Sequence, residues 1–405
     1  MSLQFVQGKP YFTAINKEKK QYKYLAEDIN CEVAIIGGGV TGSILGYYFS
    51  KAGIDSVVLE KSRIAHGSTS ITTALLQYEL DSNAKALLKY TSLENIIKSY
   101  KLGIDALNEI DTFIKEEGNS CNYKKRDCIL YTDKKLEVQE LKDEYELRRK
   151  YGLEVEYVDE KSNPFTFDLK AGVISKSGAA ELDPCKFTEM LLESSIKRGL
   201  KVYENTEVVK IDHKNDGVEI HTEYNNVVKA KIVIVATGYN TGRFTKKNFG
   251  VTTTTYNIVT KPVENIDSWK EGILIRDNKE PYHYYRTTSD NRLIAGGEDI
   301  SFIPGIYDEK KAEEKYALLE NKLKEMFNEI PNVEAEYRYG GAFTSTKDNL
   351  GYIGKDDKRN NIWYCLGYGA NGILFAILGG VMLSKLYKGE VDERLKLFSI
   401  NRFEK

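Results

Sequence analysis

The stretch VAIIGGGVTGSILGYYFSKAGIDSVVLEKS, residues 33–62, decides the fold. An apolar run predicts a buried strand over residues 32–37, helical spacing predicts a helix over residues 40–52, and a second apolar run predicts a strand over residues 56–60. The two strands are short and rich in β-branched residues, and the helix between them is long enough to cross over them. The stretch therefore predicts one β-α-β unit with a glycine-rich turn between its first strand and its helix.

The three glycines of this turn have different expected roles. Gly37 permits the tight turn, Gly39 lets a pyrophosphate approach the backbone, and Gly42 lets the helix pack closely on the strand. The N–H groups and the dipole of the helix N-terminus favour the negative charge of a phosphate. Glu60 ends the second strand, where a carboxylate accepts hydrogen bonds from a ribose diol and repels a 2′-phosphate. The unit therefore predicts an adenine dinucleotide site that disfavours NADP.

A second buried strand with a small-residue turn, IVIVATG, occupies residues 232–238. The preceding segment Thr206-Glu207-Val208 is strand-like and is predicted to cover an adenine. The chain has no second GxGxxG for a separate nicotinamide cofactor. The residues alone leave FAD and NAD both open.

Composition excludes several classes of protein. The 405 residues carry 29% charged side chains and a net charge of −2, which argues against a nucleic-acid or membrane-surface partner. Five cysteines without a CxxC pair and four scattered histidines predict reduced thiols and no metal site. The N-terminal residues do not resemble a signal peptide. The most apolar stretch, residues 372–386, is shorter than a membrane span, which takes about 20 residues, and predicts a buried helix near the C-terminus. We therefore expect a cytoplasmic protein without a membrane span.

Five segments, in their order and spacing, resemble the D-amino-acid oxidase superfamily of FAD-dependent oxidoreductases, which includes glycine oxidase and sarcosine oxidase. They are GGGVTG with Glu60, HGSTSITTALLQ at 66–77, LDP at 182–184, ATG at 236–238, and TSTKDNLGYIG followed by LGYGANGI between 344 and 373. Within the superfamily, YYRTTSDNRLIAGGED at 284–299 is most similar to the γ-glutamylputrescine oxidase-like branch.

The resemblance implies FAD as the cofactor, with a Ser/Thr-rich turn against its flavin side and a helix start beneath the flavin ring. It also implies non-covalent binding, because the positions at which some relatives tether the flavin are Gly341 and Ile71 here. The predicted cofactor-binding residues are Gly37, Gly39, Val40, Thr41, Gly42, Glu60, Lys61, Ser68, Thr69, Thr72, Thr73, Val208, Ala236, Thr237, Gly238, Gly369, Asn371, Gly372 and Ile373.

Two departures from the family bear on the substrate. Amino-acid-oxidising relatives hold the substrate carboxylate with an arginine where this chain has Phe343, and Arg286 is the nearby cation expected on the opposite wall. This pattern favours a larger amine, or an amine whose acid group lies elsewhere. Sarcosine-oxidising relatives carry a lysine that assists oxygen where this chain has Ile294, so oxidase and dehydrogenase activity both stay open. The predicted substrate-site residues are Gln77, Tyr284, Arg286 and Phe343.

The predicted fold class is α/β, with a discontinuous Rossmann-like FAD-binding domain and a substrate (cap) domain made of a mixed β-sheet plus helices. The predicted FAD-binding segments are 31–81, 171–239 and 344–389, the cap segments are 82–170 and 240–343, and a lead-in (1–30) and a C-terminal tail (390–405) flank them.

The predicted reaction oxidises a C–N bond of an amine or amino-acid derivative to an imine, by hydride transfer to flavin N5, with O2 or another electron acceptor. Two alternatives stay open: an NAD-linked dehydrogenase, and a flavin-binding sensor or subunit without turnover. The identity of the amine, the electron acceptor and the oligomeric state also stay open.

Overall fold

A computed structural model describes residues 5–16, 20–266 and 269–404. Residues 1–4 and 17–19 of the predicted lead-in and residue 405 of the predicted tail lie outside the described residues. The strands of the described ranges are β1 (Val6–Gly8), β2 (Ile29–Ile36), β3 (Ser56–Leu59), β4 (Leu75–Gln77), β5 (Lys124–Thr132), β6 (Val155–Asp159), β7 (Ala171–Glu181), β8 (Lys201–Tyr203), β9 (Val208–Lys214), β10 (Gly217–Thr222), β11 (Val227–Val235), β12 (Val251–Thr260), β13 (Leu274–Asp277), β14 (Tyr284–Thr287), β15 (Leu293–Ser301), β16 (Ala335–Ser345), β17 (Tyr352–Lys355) and β18 (Ile362–Leu366). The α-helices are α1 (Tyr11–Ile15), α2 (Val40–Lys51), α3 (Ala84–Leu87), α4 (Leu93–Glu117), α5 (Val138–Lys150), α6 (Pro184–Lys197), α7 (Glu309–Met326) and α8 (Gly372–Tyr387).

The first of two sheets contains the β-α-β unit. Its eight strands run in the order β17-β18-β11-β2-β3-β8, with β10 paired to β11 and β9. Strands β18, β11, β2, β3 and β8 are parallel, and β17 is an antiparallel edge strand. The chain leaves β2 towards β3 and β8 on one side, and leaves β11 towards β18 on the other. Such a reversal between two neighbouring parallel strands opens a crevice beyond their carboxyl ends, which is where α/β proteins bind ligands.

Close backbone approaches hold the end of β2 in place at this reversal. A methyl group built at Gly37 would lie 2.5 Å from the carbonyl oxygen of Ala236, and one built at Gly42 would lie 1.8 Å from the carbonyl oxygen of Gly37. Gly37 also has a φ of +114°, which a residue with a Cβ rarely adopts. Glycine is therefore required at both positions for α2 to start directly beyond β2.

Helix α8 is apolar on all sides and is buried along most of its length. It packs closely, since a methyl group at Gly380 would lie 2.3 Å from the ring of Tyr48, and one at Gly379 would lie 2.5 Å from the sulfur of Cys365. The prediction of a buried C-terminal helix is confirmed. None of the helices in the described ranges combines the length and the apolar composition needed to cross a bilayer.

The second sheet has ten strands in the order β1-β16-β12-β15-β14-β13-β5-β7-β4, with β6 paired to β7. The sheet is mixed, because β13 and β5 are parallel while the other neighbouring strands of the sheet are antiparallel. Helix α7 packs on β12 and β15. The predicted α/β class, with a mixed sheet and helices beside the dinucleotide-type sheet, is confirmed. We call this second sheet the cap sheet.

Two strands lie in a different sheet from the one that the predicted domain limits imply, and a third strand joins the cap sheet from the lead-in. Strand β4 lies inside the predicted segment 31–81 and β7 inside 171–239, yet both pair in the cap sheet. Strand β7 has eleven residues and is long enough to pair with β4, β5 and β6 at once. These pairs hold β4 and β7 in the cap sheet. Strand β1 of the lead-in pairs with β16. The cap sheet therefore takes in residues from all three of these predicted segments.

We expect Gly42→Ala to destabilise the protein by roughly 1–3 kcal/mol, because a methyl group 1.8 Å from a backbone oxygen forces α2 away from β2. Urea unfolding of the FAD-free protein measures this change. Gly242→Ala is the matched control, since nothing lies within 4 Å of a methyl group there, and it should change stability by less than about 0.5 kcal/mol. Equal effects of the two substitutions would contradict the close-packing argument.

Candidate cofactor and substrate site

A large cavity lies between the carboxyl end of the eight-stranded sheet and the cap sheet. Its volume is about 1870 Å³, including its open mouth. At one end it is lined by Glu60 and Val208, and at the other by Tyr282 and Tyr284. The cavity therefore connects the glycine turn to one face of the cap sheet.

Glu60 lines the first end and is held by the backbone. Its two carboxylate oxygens accept hydrogen bonds from the N–H groups of Gly38 (2.7 Å) and Ser62 (2.9 Å). Burial raises the pKa of Glu60, while these two N–H groups oppose the rise. A carboxylate has about four acceptor positions, so Glu60 keeps lone pairs for the hydroxyl groups of a ribose.

The N-terminus of α2 faces the middle of the cavity. Gly39, Val40 and Thr41 line it, and the N–H of Val40 donates to Oγ1 of Thr69 at 2.9 Å. The N-cap residue Gly39 offers no side chain that would cover the first turn of the helix. The first N–H groups of a helix lack partners within the helix, and together with the helix dipole they suit a diphosphate here.

Most of the predicted cofactor residues meet at this cavity. Those that line it are Gly37, Gly39, Val40, Thr41, Glu60, Lys61, Ser68, Thr69, Thr72, Thr73, Val208, Ala236, Thr237, Gly238, Gly369, Gly372 and Ile373. Gly42 and Asn371 lie behind the wall. Gly42 acts through its close contact with Gly37, and the buried side chain of Asn371 donates from Nδ2 to the backbone oxygen of Glu79 at 2.6 Å. Asn371 therefore fixes the start of α8 and does not face the cavity.

The loop before α8 is also held by Asp81. Both carboxylate oxygens of Asp81 lie 3.2 Å from the backbone nitrogen of Ala370, which donates to them. Burial raises the pKa of Asp81 to about 6, although the charge of Arg276 and the N–H of Ala370 oppose the rise. The segment from Glu79 to Asp81 thus positions the helix start that the resemblance places beneath the flavin.

The cap-sheet end of the cavity is aromatic and polar. Three of the four residues predicted for the substrate site, Gln77, Tyr284 and Phe343, line it. The hydroxyl of Tyr284 donates to Oδ1 of Asn257 at 3.1 Å and lies 3.1 Å from the hydroxyl of Thr255. These residues come from β4, β14 and β16, so the chamber exists only when the cap sheet is assembled.

The tyrosines at β14 alternate between the two faces of the cap sheet. Tyr282 and Tyr284 line the cavity, whereas Tyr285 is buried on the other face, in the apolar core beneath α7. Burial raises the pKa of Tyr282, of Tyr284 and of Tyr239, which also lines the cavity. All three phenols therefore stay protonated at neutral pH.

Arg286 is not among the residues that line the cavity. Its guanidinium is buried and donates to the backbone oxygens of Ala74 (2.8 Å), Leu182 (3.2 Å) and Thr287 (3.2 Å). Arg286 is the residue after Tyr285, so alternation puts it on the same face of β14 as Tyr284. The loop around Ala74 and the LDP segment cover its side chain there. The structure therefore gives Arg286 a structural role in place of the predicted contact with substrate.

The cation that the structure brings to the cap-sheet end of the cavity is Arg276, which the sequence reasoning missed. It lies on β13 and pairs in register with Tyr284 across the hairpin. A single arginine within the apolar strand ILIRD was the available signal, because a charged residue is rarely buried there without a purpose. Its guanidinium lies 5.7 Å from the ring centre of Tyr282.

Ile294 is fully buried in the apolar core and does not line the cavity. Of the described residues that line the cavity, Lys61 is the only lysine, and it lies beside Glu60 at the far end. The substrate end thus has an arginine as its cation and no lysine among these residues.

The fold and the cavity together define the dinucleotide-binding class of protein, with a cavity that runs from the glycine turn to the cap sheet. Comparison with known proteins makes this specific, because residues 32–386 match the family described as FAD dependent oxidoreductase (DAO). The chain belongs to this family. The bare glycine turn, the open first turn of α2 and the acceptor Glu60 fit an FAD molecule.

Three relatives illustrate the similarity. γ-Glutamylputrescine oxidoreductase of Escherichia coli (strain K12) is 25% identical, with 94% of this chain and 89% of the relative aligned. The crystal structure of glycine oxidase from Geobacillus kaustophilus has a TM-score of 0.76 at 20% identity, covering 93% of this chain and 100% of that one. L-Proline dehydrogenase from P. horikoshii has a TM-score of 0.77 at 19% identity, covering 94% and 99%.

The family match confirms the predicted superfamily, the oxidoreductase class and FAD as the cofactor. It also decides between the two cofactors that the residues alone left open, in favour of FAD. The alternative of an NAD-linked dehydrogenase is therefore set aside.

We expect Glu60→Gln to weaken FAD binding about 10- to 100-fold, the effect of losing one charge-assisted hydrogen bond. The amide of glutamine has one acceptor oxygen, so either the N–H of Gly38 or that of Ser62 loses its partner. Flavin fluorescence titration of the FAD-free protein measures the affinity. Glu32→Gln, which removes a carboxylate paired with Lys231 at the other end of β2, is the control and should bind FAD normally. An unchanged affinity of Glu60→Gln would exclude this role.

Proposed function

We propose that the enzyme oxidises the C–N bond of an amine or amino-acid derivative to an imine, which water then hydrolyses. The observation that carries the proposal is the continuity of the cavity, in which Gln77, Tyr284 and Phe343 face the end next to the start of α8. An amine bound there would lie beside the flavin end of the cofactor. When bound, FAD supplies the acceptor for the hydride that leaves the α-carbon of the amine.

The named relatives support this class of substrate. Glycine oxidase and γ-glutamylputrescine oxidoreductase, by their names, act on an amino acid and on an amine derivative. The cap-sheet end of this cavity differs from the substrate site of amino-acid-oxidising relatives at one lining position. Phe343 lies there, where the resemblance implies an arginine. The proposal therefore covers amines larger than glycine.

The residues of the chamber act by positioning and by excluding water. Tyr282 and Tyr284 present aromatic faces that accommodate the apolar part of an amine and attract its partial positive charge. Transfer into this chamber disfavours an ammonium group relative to the neutral amine. Hydride transfer needs the neutral amine, because its nitrogen lone pair must stabilise the forming imine.

A general base at the cap-sheet end is not required by the proposal. The titratable tyrosines there, Tyr239, Tyr282 and Tyr284, have raised pKa values and stay protonated, so they can donate hydrogen bonds but cannot accept a proton at neutral pH. The substrate therefore has to lose its ammonium proton to water before it reacts.

The need for a neutral amine predicts how the rate of flavin reduction by the substrate depends on pH. Below the pKa of the free amine, the second-order rate of flavin bleaching under anaerobic conditions should rise about tenfold per pH unit, because the neutral fraction of the substrate rises by that factor. Stopped-flow absorbance with a panel of primary and secondary amines measures it. A rate that does not change between pH 6 and 8 would show that the ammonium form is bound and that a side chain removes its proton.

The same panel tests the proposed reaction itself. Bleaching by at least one amine, followed by release of the matching aldehyde, ketone or keto acid, would support C–N oxidation. A flavin that no amine reduces, but that dithionite reduces, would favour the alternative of a flavin-binding protein without turnover. Re-oxidation by air separates an oxidase from a dehydrogenase that uses another acceptor.

A further inference from the structure

Arg276 is a buried cation whose hydrogen-bonding capacity is largely unused. It is 3% exposed and lines the substrate end of the cavity from β13. Its Nη1 donates to the backbone oxygen of Asp81. Its Nε and Nη2 are buried and have no hydrogen-bond partner. A buried guanidinium that leaves two nitrogens unpaired is costly, so these two donors call for a partner such as a bound ligand, ion or water.

The nearby carboxylates do not satisfy Arg276. Oε2 of Glu79 lies 3.6 Å from Nη2, beyond hydrogen-bonding distance. Oε1 of Glu79 is bound by Nη1 of Arg148 (2.6 Å) and by the hydroxyl of Ser175 (2.6 Å). Asp81 directs its carboxylate at the N–H of Ala370 and offers Arg276 only its backbone oxygen. The positive charge of Arg276 is thus not matched by a hydrogen-bonded carboxylate of the described residues.

The geometry of the unused donors is selective. Nε and Nη2 lie on the same edge of the planar guanidinium, where their N–H bonds are parallel and match the two oxygens of a carboxylate. The neighbouring wall is formed by the ring of Tyr282, 5.7 Å from the guanidinium carbon. Arg286, the other arginine considered for this role, has its hydrogen bonds satisfied by backbone oxygens.

We propose that Arg276 binds the anionic group of the substrate, so that the substrate is an amine that carries a carboxylate. This inference rests on the proposed function for the amine end of the molecule. The carboxylate is held from β13 of the cap sheet and not from the β16 position of Phe343. Arg276 is therefore the residue that separates amino acids from amines of similar size in this enzyme.

The test uses the FAD-loaded protein and a matched pair of probes, benzoate and benzamide, which have nearly the same shape and differ in charge. Calorimetric titration measures the affinity for each without turnover. We expect benzoate to bind the unaltered protein at least about 10-fold more tightly than benzamide. Arg276→Met should lower the affinity for benzoate about 10- to 100-fold and leave the affinity for benzamide unchanged. Arg276→Lys keeps the charge but loses the paired donors, so its affinity for benzoate should lie between those of the unaltered protein and Arg276→Met.

Two measurements keep this result interpretable. The FAD content per chain shows whether each variant is folded and loaded, and Arg338→Met, which removes an exposed arginine paired with Glu313, should match the unaltered protein with both probes. Equal affinity of the unaltered protein for the two probes, or tight benzoate binding by a loaded Arg276→Met, would overturn the proposal. So would loss of FAD from Arg276→Met and Arg276→Lys with both still folded by circular dichroism, because Arg276 would then hold the cofactor. A failure of amine oxidation would leave these binding results unaffected, so the two proposals fail separately.

Discussion

The structure depends on the contact between α2 and the end of β2. There is no space for a side chain between Gly42 and the carbonyl of Gly37, and this closeness aims the first turn of α2 at the crevice between β2 and β11. The backbone of Ala236 closes on Gly37 from the other side of the same crevice. One backbone contact thereby fixes both the open amides of the helix and the position of Glu60, which binds the N–H of the intervening Gly38.

The substrate chamber depends on interactions that are distant in the chain. Its walls come from β4, β13, β14 and β16, which meet only because the ten-stranded cap sheet joins segments from the lead-in to residue 345. Glu79 shows how the two parts are tied together. Its backbone oxygen accepts from Asn371 at the start of α8, and its side chain pairs with the fully buried Arg148 of α5. The loop that carries Glu79 and Asp81 is therefore held by α8, which packs on the eight-stranded sheet, and by α5, which packs on the cap sheet.

The parts that could be predicted from the sequence are those set by local spacing. The glycine turn, the acid at the end of β3, the small-residue strand before Gly238 and the apolar helix α8 each have a period or a spacing that determines their place. Arg276 and Arg286 could not be told apart in this way, because both lie on strands of the cap sheet and both are buried. The two arginines differ in how many hydrogen bonds the backbone oxygens of remote loops accept from the guanidinium. A local sequence pattern does not predict such contacts. The pairing of β7 and β1 with the cap sheet is hidden for the same reason.

We infer that one continuous cavity holds the adenine half of FAD at Glu60 and the flavin half at the start of α8. Equilibrium titration of the FAD-free protein with FAD and with FMN, which lacks the adenosine, tests it most directly. We expect one FAD per chain, bound at least about 100-fold more tightly than FMN, because the contacts to ribose and to the second phosphate are absent in FMN. Equal affinities for the two flavins would contradict the account, since the glycine turn and Glu60 would then contribute nothing to binding.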